Sequence, residues 1–147
     1  MTNRAPATTR PRPVVSVGKH ATVFDAVRAM VEARVGATVV LEEGKLIGVF
    51  TERDVCTRVV VKGLDPAKTE IAEVMTRSVV TVREDADRSS VLELMAKHHI
   101  RHLPVVDDAG RVLTMLSMRH LLRAEVQDLR QTVWELVAEN QIDAPGG

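Results

Sequence analysis

Thr51 and Asp54 stand three residues apart in the run Gly48-Val49-Phe50-Thr51-Glu52-Arg53-Asp54. A hydroxyl and a carboxylate so spaced, where a strand gives way to a helix, form a polar pair suited to a nucleotide. The carboxylate can accept both hydrogen bonds of a ribose diol. The hydroxyl, with backbone N–H groups at a helix start, can hold a phosphate. Both side chains also fit a plainer role as caps of the following helix. Sixty-six residues on, the frame recurs as Thr114-Met115-Leu116-Ser117-Met118-Arg119-His120. This copy keeps the hydroxyl at Ser117, but Thr114 replaces the glycine and His120 the carboxylate. A histidine can donate to ribose or phosphate, yet it lacks the two-oxygen acceptance of a carboxylate. The chain thus reads as a duplicated binding module with one well-equipped pocket and one altered pocket. The altered pocket is expected to be empty, weak or selective for a different group.

The elements that must position these residues also repeat. Val14-Val15-Ser16-Val17 matches Val79-Val80-Thr81-Val82 at an offset of 65, and Ala26, Val27 and Met30 match Val91, Leu92 and Met95. After Glu43 the offset becomes 66, because the second copy carries one more residue in Asp107-Asp108-Ala109-Gly110. A single insertion is cheap in a hairpin turn, which places the turn there. Each copy predicts a strand (14–17, 79–82), an amphipathic helix (23–34, 88–99), two strands (37–41 and 45–50, 103–106 and 111–116) and a helix starting near Thr51 or Ser117. Lys62 to Pro66 punctuate the end of the first copy, and residues 71–75 form a short bridge. Residues 1–13, with three prolines and three arginines, predict a loose tail. The division expected is a tail at 1–13, repeats at 14–75 and 76–125, and a C-terminal helix and tail at 126–147.

Composition sets aside several classes. The 147 residues carry 20 basic and 20 acidic side chains and no net charge, unlike a general nucleic-acid binder. They are 45% hydrophobic and 2% aromatic, which predicts an aliphatic core. One cysteine, Cys56, excludes an internal disulfide and a cysteine-rich zinc site, and it is expected to be a buried small apolar residue. No apolar run approaches the roughly 18 residues of a membrane span, and no signal-peptide pattern occurs. A cytoplasmic protein is expected. His98 and His102 have i, i+4 spacing, but the helix is expected to end near His99 and no further ligand completes a metal set. No Ser-His-Asp order, Walker loop or paired-carboxylate motif is visible, so no enzymatic activity is predicted.

In its β-α-β-β-α order, its repeat near 65 residues, the motif from Gly48 to Asp54, and the segment Ile100-Arg101-His102-Leu103-Pro104-Val105-Val106-Asp107, the chain resembles a tandem pair of cystathionine-β-synthase (CBS) domains, or Bateman module, over about residues 14–125. The resemblance implies an α+β fold with two repeats packed about a pseudo-twofold axis, with a C-terminal helix extended beyond them. It implies two clefts that bind adenosine-containing ligands such as AMP, ADP, ATP or S-adenosylmethionine, no required cofactor, and a regulatory role. Asp54 would then hold ribose hydroxyls and Thr51 a phosphate or ribose oxygen. Gly36, Ala37 and Thr38 would face the adenine edge, unless their small size serves only close packing. Arg101 and His102, at the matching place in the second repeat, would meet phosphates, and Ser117 and His120 would furnish the altered pocket. Arg53, Arg58 and Lys62 lie near the better pocket or are simply solvated. A second reading is a protein-interaction scaffold with vestigial clefts and an unknown protein target.

The stretch 119–142 carries Leu122, Val126, Leu129, Val133, Leu136 and Asn140 at spacings of 4, 3, 4, 3 and 4, with Trp134 and Val137 beside them. Such a seam packs back on its own domain or on another subunit. Met30, Val31, Leu92, Met95, Leu121 and Leu122 read as more aliphatic surface than so small a module can cover alone. Modules of the resembled family dimerise, and a homodimer with the 119–142 helix against the partner is expected, Asn140 helping to fix register.

Overall fold

A computed structural model describes residues 6–7 and 14–142. The first repeat runs β1 (Ser16–Gly18), α1 (Val23–Ala33), β2 (Ala37–Glu42) and β3 (Lys45–Thr51). Helix α2 opens as one α-turn, Glu52–Asp54, and continues as a π-helix, Val55–Val60. A short α3 (Ile71–Val74) leads to β4 (Val82–Arg83), α4 (Arg88–His98), β5 (His102–Val106), β6 (Val112–Ser117) and α5 (Met118–Ile142). Among the described residues there are two three-stranded sheets, β1-β2-β3 and β4-β5-β6, each with a parallel first pair and an antiparallel second pair.

Local chemistry explains the boundaries. Thr22 caps α1 through a reciprocal capping box with Asp25, and Asp87 caps α4. Each helix ends one residue before the expected place, because Arg34 and His99 adopt the left-handed conformation that stops a helix. The β2–β3 hairpin turns on Glu43 and Gly44, both at positive φ, which suits the twist of the strands. In the second repeat the inserted residue enlarges this turn. There the Asp107 carboxylate accepts from the backbone N–H of Ala109 and Arg111.

Two apolar clusters form the interior. Val23, Met30, Phe50, Val59 and Ile71 lie in the first. Val91, Met95, Leu103, Val105 and Leu121 lie in the second. The repeats are joined where the segment after α3 crosses β3: Val49 and Thr76 exchange both backbone hydrogen bonds, at 3.0 and 2.9 Å. Gly48 permits this crossing, since a Cβ there would lie 2.4 Å from Met75 Sδ and 3.2 Å from the Thr76 carbonyl oxygen. The second repeat has Thr114 in the equivalent place.

Several expectations are corrected. Strand β4 is Val82–Arg83, not 79–82. In the first repeat the Val39 N–H donates to the Val15 carbonyl. Its counterpart Pro104 has no N–H, so the ladder starts later. Cys56 is exposed. In α2, Val59 is buried and Val55, four residues before it, packs against the first cluster, so the residue after Val55 turns outward. Of the aliphatic residues expected at the surface, Met30, Met95 and Leu121 are buried and Leu92 packs on the second cluster. Val31 and Leu122 are exposed as expected, and further apolar surface lies at Phe24, Val60, Val61 and along the rest of α5. Within the expected loose tail, Ala7 is buried and bonds through its N–H to the Ala86 carbonyl. Residues 1–5, 8–13 and 143–147 lie outside the described residues.

Candidate functional site

Thr51 and Asp54 form a reciprocal capping box at the start of α2. Asp54 Oδ2 accepts from the Thr51 N–H at 3.0 Å and from its hydroxyl at 3.2 Å, while Thr51 Oγ1 accepts from the Asp54 N–H. The third helical position is thus a natural place for this aspartate, and capping alone explains it. Its other oxygen, Oδ1, lies 3.4 Å from Arg58 Nε. Arg58 is no merely solvated charge: it also donates to the carbonyls of Val74 and Met75 and ties α2 to α3. The outcome is a carboxylate held by the cap on one oxygen and by Arg58 on the other, on a residue that lines a cleft.

That cleft has a volume of about 190 Å³ and is walled by both repeats. From the first repeat come Gly36, Thr51, Glu52, Arg53 and Asp54. From the second come Thr76, Ser78, Val80, Arg101 and His102. A second, wider cleft of about 1190 Å³ reverses the arrangement: Ser117 and His120 face Val14, Val15, Gly36 and Ala37. Each motif therefore faces the first-strand region of the other repeat, which is the reciprocity a pseudo-twofold axis produces. Thr38 lines neither cleft. It is fully buried, and its hydroxyl donates to the Val15 carbonyl at 2.9 Å. Arg53 lines the first cleft and donates to the His99 carbonyl, whereas Arg58 and Lys62 line neither.

Sequence reading missed Thr76, Ser78 and Val80. The repeat offset carried a signal for Val80. Its counterpart Val15 has a carbonyl that accepts from both Val39 N–H and Thr38 Oγ1. The matching residues in the second repeat are Pro104 and Leu103, which offer neither donor. The Val80 carbonyl therefore accepts no hydrogen bond among the described residues, and Val80 lines the first cleft.

The two clefts differ in charge. Arg34, Arg101, Arg119 and Arg123 all line the wider cleft, with Glu52 the one acid beside them. None of these four guanidinium groups is in an ion pair among the described residues. The sequence as a whole is neutral, so this concentration of unpaired positive charge favours anions. Gly36, Glu52, Arg101 and His102 belong to both clefts, and a Cβ on Gly36 would stand 3.3 Å from both the Glu52 carboxylate and His102 Cε1. Burial pushes the His102 imidazole below its ordinary pKa; Glu52 pulls it up, and Arg101 and His120 add to the lowering. Among the described residues no group of three metal-ligating side chains is clustered, and no helix is long and apolar enough to cross a membrane.

This geometry agrees with what the chain resembles among known proteins. The family model for the CBS domain matches twice, over residues 9–61 and 71–127. The mitochondrial CBS domain-containing protein CBSX3 of Arabidopsis thaliana is 34% identical over 122 residues, 80% of this chain and 59% of its own length. The chain thus spans about three fifths of that curated relative. The CBS domain pair of protein MJ0100, solved in complex with 5-methylthioadenosine and S-adenosyl-L-methionine, superposes with a TM-score of 0.73 at 26% identity, covering 80% of this chain and 91% of that one. The cytosolic domain of the Mg2+ channel MgtE, solved with ATP, gives a TM-score of 0.62 at 32% identity, covering 76% and 44%. With two matched repeats, two sheets of the same order and two reciprocal clefts, this chain belongs to the CBS domain family as a tandem pair.

Proposed function

We propose that the protein is a regulatory module that binds an adenosine-containing ligand between its repeats. The observation that carries this reading is the convergence of two preset acceptors on one cleft. Asp54 Oδ1 suits a ribose diol, and the Val80 carbonyl suits an exocyclic amine of a purine. The unpaired arginines of the wider cleft suit phosphate groups, Arg101 serving both sides. Relatives solved with S-adenosylmethionine or with ATP lend support. Under this proposal Ser117 and His120 donate to a ligand in the wider cleft, Ala37 borders its base, and no cofactor is needed. The module works in the cytoplasm as a homodimer, which covers the apolar surface at Phe24, Val31, Val60 and Val61.

Thermal melts with AMP, ADP, ATP and S-adenosylmethionine test the reading. A ligand at a hundredfold excess over its dissociation constant adds about 2.7 kcal/mol of stability. Asp54→Asn can keep an acceptor for the Thr51 cap but turns the Oδ1 position into an N–H donor, so it should weaken a ribose-bearing ligand by about tenfold or more. Full affinity in this variant would refute the assignment of Asp54. No shift with any of the four compounds at millimolar concentration would favour the scaffold reading, in which the clefts are vestigial.

A further inference from the structure

We propose that residues 122–140 of α5 form a parallel, in-register, two-stranded coiled coil with the same segment of a second copy of this chain. The proposal gives the homodimer a contact separate from the repeats, and it stands or falls independently of ligand binding.

The first argument is the condition of the helix. α5 runs for 25 residues, Met118–Ile142. Its beginning is fixed to the body by buried Leu121 and by Arg88, which holds Glu125 and Asp128. From Asp128 to Asn140 every residue is exposed. An isolated helix of this length is marginal in water, and most helices are stabilised by packing an apolar face. Here that face has no partner among the described residues: Leu129 is 59% exposed and Val133 58%.

The second argument is the identity of the seam. Written as a heptad, Val126, Val133 and Asn140 occupy the a positions, and Leu122, Leu129 and Leu136 the d positions. A β-branched residue at a with leucine at d favours two parallel strands, and one asparagine at a fixes register by pairing with its twin.

Charge supplies the third argument. In a parallel pair, Glu125 at g lies beside Arg130 of the partner at e, and the contact occurs twice. An antiparallel pair that matches a with d would oppose Arg130 to Arg130 and Glu125 to Glu139. It would also bury Asn140 against Leu122. The parallel arrangement removes all three conflicts. Trp134 falls on the flank of the seam and stays outside it.

The test uses the full chain with Cys56→Ser as background. Leu136→Cys should form a disulfide-linked dimer under mild oxidation, because the two positions face each other at d. Val126→Cys mixed with Leu136→Cys should not give the mixed dimer as its main product. A mixed dimer without the Leu136→Cys self-link would show an antiparallel helix pair and overturn the proposal. Absence of both links in a protein that light scattering shows to be dimeric would overturn it too, while leaving the dimer itself in place. A monomer at high micromolar concentration would overturn both. As a second variant, Leu129→Asp sits on an exposed position and should leave the repeats folded while weakening the dimer at least tenfold. Unchanged dimerisation would count against the coil.

Discussion

Burial holds the His102 imidazole below its ordinary pKa, with Glu52 opposing and Arg101 and His120 reinforcing the effect. The unfolded chain takes up a proton at this side chain near roughly pH 6.5, and the folded chain only at lower pH. Its contribution to stability is therefore complete above that pH and is lost progressively as pH falls from there through the folded value. Urea unfolding between pH 7.5 and 5.5 should show a steeper loss of stability for the native protein than for His102→Asn. Equal slopes would show that other groups govern the acid response. At this scale the sequence was legible where a residue type has few uses. Asp54 and Thr51 do meet in a cleft, with Arg101 and His102 opposite. The capping role that the sequence offered for Thr51 and Asp54 as the plainer alternative is present as a capping box. Val80 was invisible as a side chain, since its contribution is a carbonyl left open by Pro104 and Leu103.

Between α4 and α5 stands Arg88, 4% exposed, whose guanidinium donates to Glu125 at 3.0 Å and Asp128 at 2.7 Å. Burial works against its charge, and the two carboxylates outweigh that cost and raise its pKa. Both carboxylates remain half exposed, so water can serve them if the arginine is removed. Arg88→Ala should therefore cost only about 1–2 kcal/mol. Its sharper signature is faster amide exchange in residues 119–128, with little change in the first repeat. Uniform exchange throughout would mean that Arg88 does not specifically hold α5. The periodic elements were legible in the sequence to within a few residues, because apolar spacing of 2 and 3.6 leaves a strong trace. Helix ends needed the left-handed Arg34 and His99, which no residue type announces. The short β4 followed from one proline in a neighbouring strand, a tertiary effect. The π winding of α2 and the outward Cys56 likewise depend on how that helix meets the sheet.

In the molecule as a whole, duplication was the most legible feature, and it gave two sheets, two cores and two clefts. What it concealed was the exchange: each motif serves a cleft completed by the opposite repeat, an arrangement set by how the halves pack. Gly36, Glu52, Arg101 and His102 form a partition common to both clefts, so under the proposed function two occupants would share one wall. An anion against Arg101 in the wider cleft draws on the same guanidinium, and shifts the same imidazole, that a ligand in the narrower cleft would meet. Under the proposed function the two binding equilibria are expected to be linked, with a reciprocal coupling free energy. Calorimetric titration of one ligand at increasing fixed concentrations of inorganic phosphate or a second nucleotide should move its dissociation constant by about 5-fold or more. The reverse titration should return the same factor. Gly36→Ala, which inserts a methyl group into the partition, should change that factor more than it changes either affinity alone. Dissociation constants that ignore one another would mean that the partition only divides the clefts; matched factors would make a four-residue wall the place where the module compares two signals.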